Sequence, residues 1–209
     1  EIIIEDQAIQ LTDKNGFPCK LISAVCGQSY TLYLFSSASE KNNQLAYAHS
    51  NYQSGTPVFV SINGHNPLYL FGGRATAAVV DSEGSIFVIT NGDMKTGTAT
   101  IEKSVLPQNE KPVSIACCKE FILVAGSSGR TFSAIIPLED KVGGNVTFEI
   151  VKALEGKEII EVSGLLCACL ALSKDGRVFG AGTDWMGLNN GQSIKEFMEI
   201  TSLTKYKIV

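Results

Sequence analysis

Charge is scarce in this sequence. Only 18% of its 209 residues are Asp, Glu, Lys or Arg, against a usual quarter, and the 17 basic residues are scattered with no run of three. A surface that grips a phosphate backbone needs clustered cations that release counterions. With a net charge of −4, no direct nucleic-acid partner is expected. Long apolar runs are missing as well. The longest, Gly164 to Leu172, is nine residues, whereas a spanning helix needs about 20, so no membrane span is expected. No charged segment followed by an apolar stretch opens the chain, which begins at Glu1-Ile2-Ile3-Ile4 without Met and reads as a piece of something longer. Helical periodicity is absent too, along with the Ala-, Leu- and Glu-rich segments that helices prefer.

What the sequence does have is apolar content, 44% hydrophobic, and 20 glycines. That is enough to bury a core and to exclude disorder. The apolar residues come as short runs broken by Gly, Asn, Asp and Ser. Examples are Tyr30 to Phe35, Ala75 to Val80, Ile86 to Thr90, Phe121 to Ala125 and Leu170 to Ser173. Such runs read as strands, so the chain is expected to be all-β.

The runs repeat. Ile22 to Gly27, Leu68 to Gly72, Val113 to Cys118 and Ile159 to Gly164 align, with anchors at 27, 72, 118 and 164 spaced 45, 46 and 46 residues apart. About twelve residues after the last three anchors come Glu83-Gly84, Ser128-Gly129 and Asp175-Gly176. A polar residue then Gly between apolar runs marks a tight hairpin, because Gly takes the φ > 0 position. A further strand is expected near Val58 to Ile62, Thr98 to Ile101, Val146 to Val151 and Phe197 to Ile200. Four antiparallel strands in about 46 residues make a propeller blade, and stacked blades bury the faces that one sheet cannot. The expected organisation is a strand or tail of a preceding or closing blade over 1–19, blades over 20–66, 67–111, 112–156 and 157–205, and the start of a fifth blade at 206–209.

The blade motif narrows the kind of propeller. The single tryptophan, Trp185, precedes Met, which does not fit a repeat ending in Trp-Asp. Leu70-Phe71-Gly72-Gly73 mimics the kelch Gly-Gly, but the other three units lack it. The fourth unit runs Ile159-Ile-Glu-Val-Ser-Gly, then Cys169-Leu-Ala-Leu-Ser-Lys-Asp-Gly-Arg-Val-Phe-Gly-Ala-Gly-Thr-Asp-Trp-Met-Gly187. It resembles a repeat of the RCC1 (regulator of chromosome condensation) superfamily, with Asp184 for the usual Asn and Ala181 for the usual Trp. The second unit, Ala77 to Val88, is similar in its hairpin. The resemblance implies an RCC1-like propeller with four-stranded blades, about four of them here out of a seven-bladed ring, which a second copy of the chain could complete. In the matched residues, Leu170-Ala171-Leu172 is expected to supply two inward apolar positions beside the propeller axis, with the small Ala171 where blades crowd, and Gly180 and Gly182 to permit a bulge or close approach. Gly84, Gly129, Asp175, Gly176 and Gly182 are the expected structural turn residues.

Residues for chemistry are few. His49 and His65, the only histidines, read as plain surface or loop residues without metal-ligand spacing. Arg74 and Arg130 are expected to pair with acidic neighbours, and Ser36 to Gln44 to be a mobile polar loop. Six cysteines lack the Cys-x-x-Cys spacing of zinc or redox sites. They are read as buried free thiols of a reducing compartment, with adjacent cysteines on opposite strand faces. No nucleophile motif, phosphate loop or dinucleotide fingerprint occurs. No catalytic residue, metal or cofactor is therefore expected.

Binding remains, which propellers perform on their rims. The candidate rim loop is Asp184, Trp185, Met186, Asn189 and Asn190, with Trp185 as the anchor. The expected function is a non-catalytic protein-interaction platform, intracellular, in cytoplasm or nucleus. Through the resemblance, the alternative is a guanine-nucleotide exchange factor for a Ran-like small GTPase. A structural subunit or an inhibitor-type propeller is the third reading.

Overall fold

The structure, a computed structural model, describes residues 12–13, 15–49, 58–90, 101, 103–136, 145–182, 194–206 and 208. Its strands form four antiparallel sheets, each a simple meander in chain order. The first holds β1 (Cys19–Cys26), β2 (Tyr30–Ser37), β3 (Gln44–His49) and β4 (Val58–Val60). The second holds β5 (Pro67–Gly72), β6 (Thr76–Asp81), β7 (Ile86–Thr90) and β8 (Lys103–Ser104). The third holds β9 (Pro112–Cys117), β10 (Phe121–Gly126), β11 (Thr131–Ile135) and β12 (Glu149–Ile150). The fourth holds β13 (Ile159–Leu165), β14 (Ala168–Ser173), β15 (Val178–Gly182) and β16 (Ile194–Glu199). The fold is all-β, a stack of four propeller blades.

The middle strands are apolar at consecutive positions because both faces are covered. In β6, Ala77 and Val79 pack towards the first blade, while Ala78 and Val80 pack towards the third. In β10, Ile122 and Val124 face the second blade, and Leu123 and Ala125 the fourth. Cys117 and Cys118 split the same way, one into each inter-blade core. Alternation along a strand thus becomes alternation between two cores. The first strands of consecutive blades contact one another, and Ser114 of β9 joins β13 through its hydroxyl, accepting from Val162 N at 3.1 Å and donating to Val162 O at 3.2 Å.

The repeat extends to its irregularities. Each first strand carries a β-bulge at the equivalent place, with Ile22, Leu68, Val113 and Ile160 as the unpaired extra residues. Each tight hairpin closes identically: Asp81, Gly126 and Ser173 donate N–H to the carbonyls of Ser85, Arg130 and Arg177, and Gly84, Gly129 and Gly176 sit at φ +86°, +84° and +84°. Behind each hairpin, Ser82, Ser127 and Lys174 donate to the carbonyls of Asn66, Lys111 and Glu158, tying the turn to the segment that enters the blade.

Several expectations need correction. Leu170 and Leu172 do not turn into the core; Ala171 does, against the third blade, and Leu170 remains 37% exposed. The alternation puts the leucines on the other face. β8 forms at Lys103–Ser104 and pairs with Ile86 and Phe87; of the strand expected near Thr98 to Ile101, residues 98–100 lie outside the described ones. His49 belongs to β3, opposite Tyr30, not to a loop. Residues 38–43 are stapled, not loose: Asn42 and Asn43 donate side-chain N–H to the carbonyls of Gly64 and Pro67. Cys26 and Cys167 are exposed, whereas Cys117, Cys118 and Cys169 are buried.

Candidate functional site

The residue that opens the tight hairpin of the last three blades occupies one repeated position: Asp81, Gly126 and Ser173. Its side chain can cap the turn. Ser173 Oγ accepts from Arg177 N at 3.0 Å and donates to Asp175. Asp175 also takes Arg177 Nε at 2.8 Å. In the third blade the position is glycine, and a carboxylate arrives from outside. Glu110 accepts from the N–H of Ser128 and from the hydroxyls of Ser127 and Ser128. A Cβ on Gly126 would lie 2.9 Å from Glu110 Oε2, so the glycine makes room for it. In the first blade Asp13 takes this role, accepting from the hydroxyls of Ser37 and Ser39 and the N–H groups of Asn15 and Phe17.

Asp81 is the most enclosed of these carboxylates. Its side chain is 1% exposed. Oδ1 accepts from Glu83 N at 2.9 Å and Ser85 N at 2.7 Å, while Oδ2 meets His65 Nδ1 at 2.7 Å. The His65 ring lies 5.0 Å from the Phe87 ring. His65 is therefore not a plain loop residue; it braces the linker between the first two blades against the second blade's hairpin. Nothing local marks this, since sixteen residues separate the partners. Ligand atoms of His65, Asp81 and Glu83 lie within 4.8 Å of one another, yet this set fits a brace better than a metal centre. Both Asp81 oxygens hold donors, and Glu83 pairs with Lys103 Nζ at 3.5 Å.

Burial alone would raise the carboxyls of Asp13 and Glu110, but the hydroxyl and N–H donors around them outweigh it and hold both below the usual range, Glu110 with help from Arg130. The Ser173 hydroxyl, followed by Arg177, outweighs burial and lowers Asp175. Groups depressed in the folded state stabilise it fully above the unfolded carboxyl range, and that contribution is lost as pH falls through the folded values. Melting temperature should accordingly stay level down to about pH 5 and then drop towards pH 3, with a smaller drop for Glu110→Gln. A flat profile between pH 5 and pH 3 in thermal melts would refute this assignment.

Beside His65 opens a cavity of about 390 Å³ whose walls include Glu40, Asn42, Asn43, Gln44 and Phe59. A larger one, about 750 Å³, lies between the third and fourth blades against Phe121, Val151, Cys169 and Phe197. Burial pushes the Cys117 thiol up to about 12, so it is a core group. Of the expected turn residues, Gly84, Gly129 and Gly176 take positive φ and Asp175 caps its own turn. Gly182, at φ +124°, lies at a register shift between Gly180 and Gly182 where a Cβ would come 2.1 Å from Cys167 O. Arg74 donates to Gln28, a glutamine rather than an acid; Arg130 donates to Gln108, and its charge also acts on the carboxylate of Glu110. The rim loop of Asp184, Trp185, Met186, Asn189 and Asn190 lies outside the described residues.

No protein-family model matches the chain, and no curated protein matches it either. Solved structures do. Human WBSCR16 superposes with a TM-score of 0.65 at 18% identity, covering 87% of this chain and 54% of that one. Prp20p from Saccharomyces cerevisiae, the yeast RCC1, superposes at 0.51 and 14% identity, covering 87% and 63%. The chain thus spans between half and two thirds of those proteins. With its four meander blades, its repeated bulges and these neighbours, the chain has the fold of an RCC1-like β-propeller.

Proposed function

We propose that the chain is a non-catalytic platform for protein partners. The observation that carries this reading is the apolar row on the inner strands. The bulged residues Ile22, Val113 and Ile160 are 47%, 52% and 47% exposed, on a framework held by inter-blade hydrogen bonds. Rigidly presented apolar surface of this kind is what protein partners cover, and the rim's carboxylates and hydroxyls are engaged in fixing its turns. The loop with Trp185 is a second proposed contact, with Trp185 as its anchor. Unpaired thiols favour a reducing compartment, and no described helix is long and apolar enough to cross a membrane.

The test compares proteins retained by the immobilised chain with those retained by the Ile22→Asp/Val113→Asp/Ile160→Asp variant and by Trp185→Ala. Partners held by the wild type should be lost from the first variant and weakened in the second. An unchanged set for both would sink the reading. A second reading, exchange on a Ran-like small GTPase, draws on the fold likeness to Prp20p, whose crystal structure was described together with its binding to Gsp1p and histones. It requires that the chain accelerate GDP release from such a GTPase; an unaltered release rate would exclude it.

A further inference from the structure

Two thiols meet in the core between the third and fourth blades. Cys169, on β14, lies opposite Gly164 of β13, and side chains at such cross-strand positions stand about 5 Å apart on one face. Gly164 has no side chain to place there. The Cys118 thiol, from just beyond β9, fills the space instead: a Cβ on Gly164 would lie 2.6 Å from its sulfur. The same sulfur lies 3.8 Å from the carbonyl oxygen of Ala168, in the peptide group that precedes Cys169. Cys118 and Cys169 thus belong to one apolar cluster, and their thiols hydrogen-bond to each other. Their surroundings differ. Cys169 lines the cavity of about 750 Å³, while Cys118 is wholly buried. The bond from Cys118 holds the Cys169 thiol below its ordinary range, and the same bond, with burial, raises Cys118. Cys169 is therefore the member that ionises first. Cys167, in the turn between β13 and β14, lines the same cavity and is exposed.

We infer that Cys169 is a site of oxidation by hydrogen peroxide, with Cys118 as the thiol that resolves it into a disulfide. A thiol that faces a cavity and has a second thiol at its back is placed for this chemistry. The Cys169 thiolate attacks one peroxide oxygen, the O–O bond breaks, and a sulfenic acid forms. The departing hydroxide takes up the proton that Cys169 had released and becomes water. The Cys118 sulfur then attacks the sulfenic sulfur. The S–S bond forms as the S–O bond breaks, and the oxygen leaves as water with the Cys118 proton. Two thiols are oxidised to one disulfide and one peroxide is reduced to two waters. Peroxide suits a residue that is only 2% exposed, because it is small enough to reach the sulfur through the cavity. The bridge ties the third blade to the fourth, and thiols reverse it by exchange.

The test treats the full chain with hydrogen peroxide, denatures it in the presence of an alkylating agent, and maps the cysteines by mass spectrometry. Two of the six thiols should be lost to alkylation, with Cys118 and Cys169 found in one linked peptide pair that dithiothreitol separates. Cys118→Ser should stop at the sulfenic acid, so that dimedone labels Cys169. Cys169→Ser should leave Cys118 fully alkylated, because the attacking thiol is gone. Cys167→Ser should form the same bond as the wild type. Oxidation confined to Cys167, a Cys167–Cys169 bond in place of the expected one, or full alkylation of both Cys118 and Cys169 after peroxide would each overturn the assignment. The wild-type map decides even where a variant does not fold.

Discussion

Replacing Asp81 by alanine is expected to destabilise the protein by about 3 kcal/mol and to lower its Tm by about 6–12 °C. The carboxylate holds three donors at once: the N–H groups of Glu83 and Ser85 and the His65 ring. Truncation leaves those N–H groups without an acceptor in a place water does not reach, since the side chain is 1% exposed. An unmade buried hydrogen bond costs more than a made one contributes, which puts the loss above that of an ordinary surface contact. Asp81→Asn should lose less, about 1 kcal/mol, because one oxygen still caps the turn. His65→Ala should also lose less, since the turn keeps both its bonds. A double-mutant cycle between positions 65 and 81 then isolates the brace. Denaturant melts giving equal losses for Asp81→Ala and Asp81→Asn would show that the turn cap contributes nothing.

The contrast between Asp81 and its neighbour Gly84 explains what could be read before folding. A hairpin glycine leaves a local mark, because φ > 0 is a property of one residue, and Gly84, Gly129 and Gly176 were legible from Glu-Gly, Ser-Gly and Asp-Gly alone. The 46-residue period was legible because each blade solves the same packing problem. The opposed faces of Cys117 and Cys118 follow from strand alternation. The caps were not legible in this way. Glu110 acts in place of a missing side chain at Gly126, and His65 reaches Asp81 across a linker. Both depend on where one blade's entry segment lies against another blade's turn. The signal that exists is comparative: aligning the last three repeats puts Asp81, Gly126 and Ser173 at one position, two with a capping side chain and one without. The inward turn expected for Leu170 and Leu172 failed for a related reason. A Leu-Ala-Leu strand has two faces; the short side chain took the crowded one, as expected of it, and alternation then left the leucines on the other. The candidate site divides in the same way: the loop around Trp185 suggested itself by composition, whereas the cavity beside His65 is assembled from two segments, 40–45 and 59–67, that nothing in the sequence joins.

Gly73→Ala should cost about 3–4 kcal/mol, of order 10 °C in Tm, for a reason opposite to that of the hairpin glycines. Gly64, at φ +81°, has nothing within 4 Å of an added Cβ, so alanine there meets only backbone strain, about 1 kcal/mol. Gly73 is not at positive φ; its difficulty is space. An added Cβ would lie 2.0 Å from the backbone oxygen of Cys117 in the next blade, and one on Gly72 would lie 2.7 Å from Val25 Cβ in the previous one. The pair that looks like a kelch Gly-Gly is therefore the point where three blades meet near their inner strands. Because the atom in the way at Gly73 is main chain, no side-chain change on the third blade can make room, and the second and third blades must separate. Gly164 supplies the comparison. There the added Cβ would lie 2.6 Å from Cys118 Sγ, so Cys118→Ala should recover a large part of the stability lost in Gly164→Ala. Cys117→Ala should recover none of that lost in Gly73→Ala. Rescue of Gly73→Ala by Cys117→Ala in thermal melts would mean that side chains, not backbone, set the spacing of the blades.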